Sequence, residues 1–259
     1  MSTLRILYRD DALCAVLKPS GLAVHRGWAR ERDTAAHRLG QQLGAQVFAV
    51  HRLDRGTSGV LLFALNADAA RIVQESRDAG RTQRSYLALV RGPAKACDNI
   101  DHAIPRRAGG PRVPAQTDYR SLGNFERYSL VLAQPHTGRL HQVRRHLKHV
   151  SLPIIGDTKY GKSEHNRLLS DRVGLSRLAL HALSLALPHP LTGNPLELLS
   201  PLPNDLAQPL IAMGFGAQLA ELGALDAPDA TGALDAPDAT GALDAPDRPP
   251  KARCPGSTS

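Results

Sequence analysis

His51-Arg52-Leu53-Asp54-Arg55-Gly56-Thr57-Ser58-Gly59 joins two apolar runs, Val47-Phe48-Ala49-Val50 and Val60-Leu61-Leu62-Phe63-Ala64-Leu65. Both runs have the length and composition of strands. The turn between them therefore sets one carboxylate, with an arginine on either side, at the edge of an apolar core. Neighbouring arginines favour the charged form of an aspartate, which suits a nucleophile or an electrostatic stabiliser better than a general acid. These nine residues alone are served slightly better by a structural ion pair in a glycine-assisted turn.

Working outward, residues 4–8 and 13–17 read as two short strands, and Lys18-Pro19-Ser20-Gly21 breaks the pattern. Asp33-Thr34 offers an N-cap for a helix running to Leu43, with Gly44 as its stop. Residues 67–79 read as a second helix ended by Gly80, and 81–92 as a strand with a basic lead-in that carries Tyr86. Residues 93–115, rich in Pro, Gly and Arg, read as a basic loop, either a surface connection or a phosphate contact. Residues 116–122 and 127–134 form an antiparallel pair, and Leu178–Leu187 a strand whose phase slips at His181-Ala182. Proline-rich connections lead through Pro203 to a short helix over 206–215.

The segment from Gly138 to His149 carries the second signal. Taken as a helix, it puts Leu140, Val143 and Leu147 on one apolar face and Arg144 with them, with Gln142, Arg145, His146 and His149 opposite. An arginine aimed at a core keeps its proton and needs a buried anion. Asp54 is the candidate, and each otherwise costly charge would explain the other.

Charge points to a polyanionic partner. The net charge is +8 and the pI about 9.8, and residues 1–223 alone hold 29 basic and 18 acidic residues. Cys14, Cys97 and Cys254 lie far apart without metal spacing, which fits a reducing compartment. The charged start excludes a signal-peptide apolar region, and no apolar run reaches membrane-spanning length, so a cytoplasmic protein without membrane contact is expected. From Gly223 the unit Gly-Ala-Leu-Asp-Ala-Pro-Asp-Ala-Thr occurs twice and then again, cut short at Asp247. One leucine per nine residues builds no core, so residues 1–222 are expected to form the domain and 223–259 a disordered tail.

One motif competes. Gly156-Asp157-Thr158-Lys159-Tyr160-Gly161-Lys162-Ser163 fits the phosphate-loop pattern of nucleotide hydrolases. That chemistry needs a strand before it, a helix after it and a downstream aspartate for Mg²⁺, whereas Leu152-Pro153-Ile154-Ile155 is short and interrupted by proline. The match is read as chance. His136, His141, His146 and His149 lack metal-ligand spacing and read as phosphate contacts or surface histidines.

Taken together, the 51–59 stretch, Lys18-Pro19-Ser20-Gly21, Tyr86, Thr137-Gly138-Arg139-Leu140-His141-Gln142-Val143-Arg144 and Pro153-Ile154-Ile155-Gly156-Asp157 resemble, in order, the RluA-type pseudouridine synthases over about residues 4–215. Leu17 and Arg84 depart from the family's frequent Asn and Lys. The resemblance implies one α/β (α+β) domain with a mixed, mostly antiparallel central sheet and a catalytic cleft, Asp54 on its floor and Arg144 at its wall. It implies isomerisation of a specific uridine in RNA to pseudouridine, with Asp54 as the catalytic carboxylate. Arg144 would pair with Asp54, Tyr86 would lie against the uracil, and Arg52 would help to flip the base or fill its place. Arg139, His141, Arg145 and Lys148 are the candidate RNA contacts. No metal, nucleotide or organic cofactor is implied. Likeness at His25-Arg26-Gly27-Trp28, Arg144-Arg145-His146-Leu147 and Gly174-Leu175-Ser176-Arg177-Leu178 points to the branch acting on uridine 65 of tRNA, with ribosomal RNA as the alternative substrate and a monomer as the expected state.

Overall fold

The computed structural model describes residues 3–25, 33–106 and 109–226. Arg26-Gly27-Trp28, Arg107-Ala108, Cys254 and the tail from Ala227 onward, with the expectations attached to them, lie outside those residues. The packed unit runs to Leu225, three residues past the boundary expected at 222. Ala224 is fully buried, and its carbonyl accepts the Leu202 N–H at 2.7 Å.

The sheet grows from β4 (Ser58–Ala64), all seven residues of which are buried. A strand covered on both faces has no need to alternate, which is why it reads as a continuous apolar run. On one side β2 (Leu13–Lys18) pairs antiparallel with β4, and β1 (Arg5–Arg9) with β2. On the other side stands β11 (Leu180–Pro188), parallel to β4 through His181↔Ser58 and Ala182↔Gly59. Beyond it come β5 (Gln83–Arg91), β10 (Tyr128–Pro135), β9 (Gln116–Phe125) and β6 (Cys97–Asp101), all antiparallel. The short β3 (Phe48–Ala49) adds to β4 and β12 (Pro195–Leu199) to β11. The mixed, mostly antiparallel sheet expected from the sequence is present.

Helix ends follow the local chemistry. In α1 (Ala35–Leu43) the Thr34 hydroxyl accepts the His37 N–H, and Gly44 closes the helix in the left-handed region. Asn66 caps α2 (Ala67–Asp78) through Ala69. Two apolar clusters cover the sheet. One joins β1, β2, β4, α1 and α2; the other joins β5, β9, β10 and the later helices. Fully buried leucines such as Leu61, Leu62, Leu89 and Leu130 each contribute about 1.5–3 kcal/mol relative to exposure. Tyr86 on β5 packs against both clusters, at the seam between them.

Several elements depart from expectation. The loop 93–115 contains edge strand β6 and a two-stranded ribbon of β7 (Ile104–Pro105) and β8 (Arg112–Val113). With two aspartates and an asparagine, β6 carries the polar composition of a protected edge and not that of a core strand. The register of β11 shifts between Ala182 and Ser184, just past the expected slip. β12 interrupts the proline-rich connection, with Pro195 at its first residue, where a missing N–H is tolerated. A polar helix, α4 (Ser163–Val173), follows the false phosphate loop. The last helix is two, α5 (Asn204–Ala212) and α6 (Gly216–Glu221).

The largest correction concerns α3 (Gln142–His149), which starts four residues later than Gly138. The buried Gln142 side chain organises a turn instead. Its Oε1 accepts the Arg139 N–H at 3.0 Å and the Thr137 hydroxyl at 2.7 Å, and its Nε2 donates to Gln116 O and Thr117 Oγ1. Leu140 is thereby left exposed, off the helix. His146 is also not a surface histidine: it is fully buried, bonded to Thr117 Oγ1 and His102 O.

Candidate active site

Asp54 sits in the turn that leads into β4. Its own carbonyl accepts the Thr57 N–H at 3.0 Å. The following residues are laced to the turn after β2: Gly21 N donates to Arg55 O, Arg55 Nε to Gly21 O, and Ser20 Oγ to Gly56 O, each at 2.8 Å. Lys18 completes the lacing. It is fully buried, and its ammonium donates to the carbonyls of Pro19, Leu22 and Arg55, which take all three of its donors. Burial, with Arg177 nearby, brings its pKa down to about 7, while Asp54 pulls the other way.

The inward arginine meets the carboxylate expected for it. Arg144 Nη1 donates to Asp54 Oδ2 at 2.9 Å across ninety residues of sequence. The same guanidinium makes a forked pair with Asp157, Nε to Oδ2 at 2.7 Å and Nη2 to Oδ1 at 2.9 Å. Burial alone would lower the Arg144 pKa, but the bonds and charges of Asp157 and Asp54 outweigh it and raise it. Burial likewise opposes ionisation of Asp157. Arg144 and the N–H groups of Tyr160 and Lys159 win, and its pKa falls. Asp157 is thus a fixed anchor for the arginine, and Arg144 holds Asp54 through a single charge-assisted bond to Oδ2. No role was read for Asp157 from the sequence, where it stood only among the quoted residues.

The same geometry disposes of the phosphate loop. Its N–H groups at Lys159 and Tyr160 are spent on the Asp157 carboxylate, and the Gly161 N–H on Asp157 O. A helix does follow, but Ile154 makes only an isolated bridge to Val90, so no strand precedes. Gly156 lies at φ +76, and a Cβ there would stand 1.8 Å from Arg177 O, so this glycine serves packing and not phosphate approach.

Tyr160, also unassigned in the sequence, is the hub of the site's outer wall. The cationic groups of Arg144, Arg145, Lys148 and Lys159 stand 5.1–5.9 Å from its ring centroid. Its hydroxyl accepts Arg145 Nε at 3.0 Å and meets His141 Nδ1 at 3.1 Å. His141, a candidate RNA contact, sits at the inner edge, Nε2 3.8 Å from Asp54 Oδ1. Arg145 is half-buried and also bonds Pro105 O, whereas Lys148 is exposed and Arg139, exposed too, donates to Pro114 O. Tyr86 lies at the seam. Burial raises its phenol pKa, with Asp54 adding and Arg84 opposing. Arg52 is exposed and makes no hydrogen bond or ion pair among the described residues.

A buried chain links β4 to β11. Arg177 Nη2 donates to Ser58 Oγ at 2.7 Å, Ser58 Oγ meets His181 Nδ1 at 2.8 Å, and His181 Nε2 meets Ser200 O at 3.1 Å. This fixes the ring proton on Nε2 and keeps His181 neutral, with burial moving its pKa down to about 4. A cavity of about 570 Å³ is lined by His25, Thr34, His37, Gln41 and neighbours, not by Asp54. Among the described residues no three His, Cys, Asp or Glu side chains stand together as a metal site, and no helix is long and apolar enough to cross a membrane.

Comparison with known proteins agrees with this geometry. A family profile described as RNA pseudouridylate synthase matches residues 12–149. The tRNA pseudouridine synthase C of Haemophilus ducreyi is 44% identical, over 73% of this chain and 87% of its own. That of Pasteurella multocida is 43% identical over 73% and 88%, and that of Salmonella typhimurium 38% over 84% and 93%. Among solved structures, human RNA Pseudouridylate Synthase Domain Containing 1 superposes with a TM-score of 0.68 at 27% identity, covering 88% of this chain and 97% of its own. Human RNA Pseudouridylate Synthase Domain Containing 4 gives 0.67 at 28% identity, over 81% and 93%.

Proposed function

The chain belongs to the RNA pseudouridylate synthase family and is an isomerase of RNA uridine; from that premise we propose that its substrate is tRNA, at uridine 65, and that Asp54 is the catalytic carboxylate. The observation that carries the assignment of Asp54 is the Asp157–Arg144–Asp54 relay, which fixes one carboxylate in the turn leading into β4. The reaction breaks the N1–C1′ bond, turns the uracil and joins its C5 to C1′. C5 loses a proton and N1 gains one. No water is consumed, so the second carboxylate of a glycoside hydrolase has no task here. Asp157 is spoken for by Arg144, and Asp54 acts alone on the sugar and base.

The surrounding residues divide the remaining work. Tyr86, at the seam beside Asp54, supports the uracil. Arg52, exposed and unengaged among the described residues, enters the stack as the uridine leaves it, offsetting a flipping cost of a few kcal/mol. Arg139, Arg145, Lys148 and the added Lys159 line the approach for the phosphates. The tRNA choice rests on the names of the most similar relatives. A cytoplasmic monomer is the matching expectation.

The test incubates wild type and Asp54→Asn with tRNA and with ribosomal RNA and maps pseudouridine by position. Wild type should modify one tRNA uridine, and the variant none while keeping its fold and part of its RNA affinity. Normal turnover by Asp54→Asn overturns the catalytic assignment, and modification of ribosomal RNA alone overturns the substrate.

A further inference from the structure

His141 is one of three non-glycine residues with positive φ among those described, at φ 55 and ψ 29. L side chains rarely adopt that backbone, and such outliers gather at functional sites. It occupies the N-cap of α3 yet makes no capping bond with its side chain. The ring is used elsewhere. It stands edge-on to Tyr160, centroids 5.7 Å apart, with Nδ1 3.1 Å from the Tyr160 hydroxyl. That hydroxyl oxygen already accepts Arg145 Nε, so its own proton is free for Nδ1, and the ring proton falls on Nε2. Nε2 is the nitrogen that faces Asp54 Oδ1, the oxygen that the Arg144 bond to Oδ2 leaves open.

We propose that His141 is a positioning residue for the isomerisation: anchored by Tyr160, its Nε2–H holds Oδ1 of Asp54 in the orientation that meets the flipped uridine. This rests on the reading of Asp54 as the catalytic carboxylate. The 3.8 Å separation is longer than a hydrogen bond, and catalytic contacts of this kind tighten when substrate closes the site. The arrangement has a consequence for pH. A second proton makes His141 an imidazolium that pairs with Asp54 from the side opposite Arg144 and withdraws Oδ1 from the sugar. Burial opposes that proton, as do Arg144 and Arg145 on α3 and Lys159 on the facing loop. Asp54 favours it, and Tyr160 faces Nδ1. The active, neutral ring therefore persists to below the ordinary histidine range, and activity declines on the acid side of it.

The experiment measures single-turnover pseudouridine formation and tRNA affinity between about pH 5 and 8 for wild type, His141→Asn and His141→Gln. Asparagine tolerates the left-handed backbone but is too short to reach Asp54; the glutamine amide reaches it and does not titrate. His141→Asn should lower the saturated rate by roughly 10- to 100-fold, the scale of a hydrogen bond to a charged group, with affinity for tRNA nearly unchanged. His141→Gln should recover part of the rate and lose the acid decline attributed to the imidazolium. A full rate in His141→Asn, a loss carried by affinity instead of rate, or an unmoved acid limb in both variants overturns the proposal. If position 141 proves intolerant of change, Tyr160→Phe reads the same contact: it should lower the rate and displace the acid limb, and an unmoved limb refutes it. An inactive wild type, or an active Asp54→Asn, would instead defeat the reading of Asp54 itself.

Discussion

Stability should fall between neutral and mildly acidic pH, and His181 should be one of the main contributors to the slope. The ring is fully buried on β11, accepts from Ser58, donates to Ser200 O and lies near the charge of Arg177. A second ring proton would place a positive charge in a buried site beside Arg177. Its pKa is about 4 in the folded chain against 6.5 for an ordinary histidine. Between those values the unfolded chain binds the proton and the folded chain does not. Stability is therefore complete above about pH 6.5 and is lost as pH falls toward about 4. The full loss from His181 is about 3 kcal/mol. Near pH 5 the difference is close to one proton, a slope of about 1 kcal/mol per pH unit. His51, whose ring accepts the Leu62 N–H and whose pKa is moved down to about 3, adds a similar slope in the same direction. Urea unfolding at several pH values would compare wild type with His181→Gln, which can keep both hydrogen bonds but cannot take up the proton. The variant should show a clearly shallower acid slope, whatever its stability at neutral pH. Parallel slopes for the two proteins would refute the account of this buried chain.

Asp157→Asn should cost about 1.5–3 kcal/mol in chemical denaturation, because it weakens the forked partner of a nearly buried arginine; a loss below about 0.5 kcal/mol would show that Asp157 does not anchor Arg144. Gly59→Ala should abolish soluble, folded protein. Its Cβ would lie 2.2 Å from Ala182 O in backbone at φ +119, so a variant that melts like wild type contradicts the β4–β11 packing. The affinity for tRNA should fall steeply with salt, and Lys148→Ala should flatten the log–log slope by about 0.7–0.9, the share of one phosphate contact. An unchanged slope would remove Lys148 from the RNA path.

The parts of the fold legible in the sequence were those where one segment carries its own reason. Val60–Leu65 announced a strand, and Thr34 and Gly44 marked the two ends of α1. The Arg144–Asp54 pair was legible because an inward cation must find an anion, which is an argument about energy and not about spacing. What escaped depended on partners remote in sequence. Leu140 fitted a helical stripe, and only the demands of Gln142 on Thr117 and Gln116 make a turn there. β6 escaped because an edge strand is selected for charge instead of apolarity. Asp157 and Tyr160 were hidden inside a motif that suggested another chemistry, and His141 looked like one more basic surface residue until its backbone turned it toward Asp54.

The parallel pairing of β4 with β11 has a consequence for how the enzyme comes into being. Ser58 and His181 are 123 residues apart, and the strands on the far side of the sheet are made between them. Loop closure of that length is slow, and contacts of this kind come late in folding. A nascent chain emerging from the ribosome can pair β1, β2 and β4 early, yet the flank of β4 that adjoins Asp54 stays open until β11 has been synthesised and docked. Chains truncated before Leu180 would lack the β11 partner of β4 altogether, so premature termination should yield no partly active enzyme.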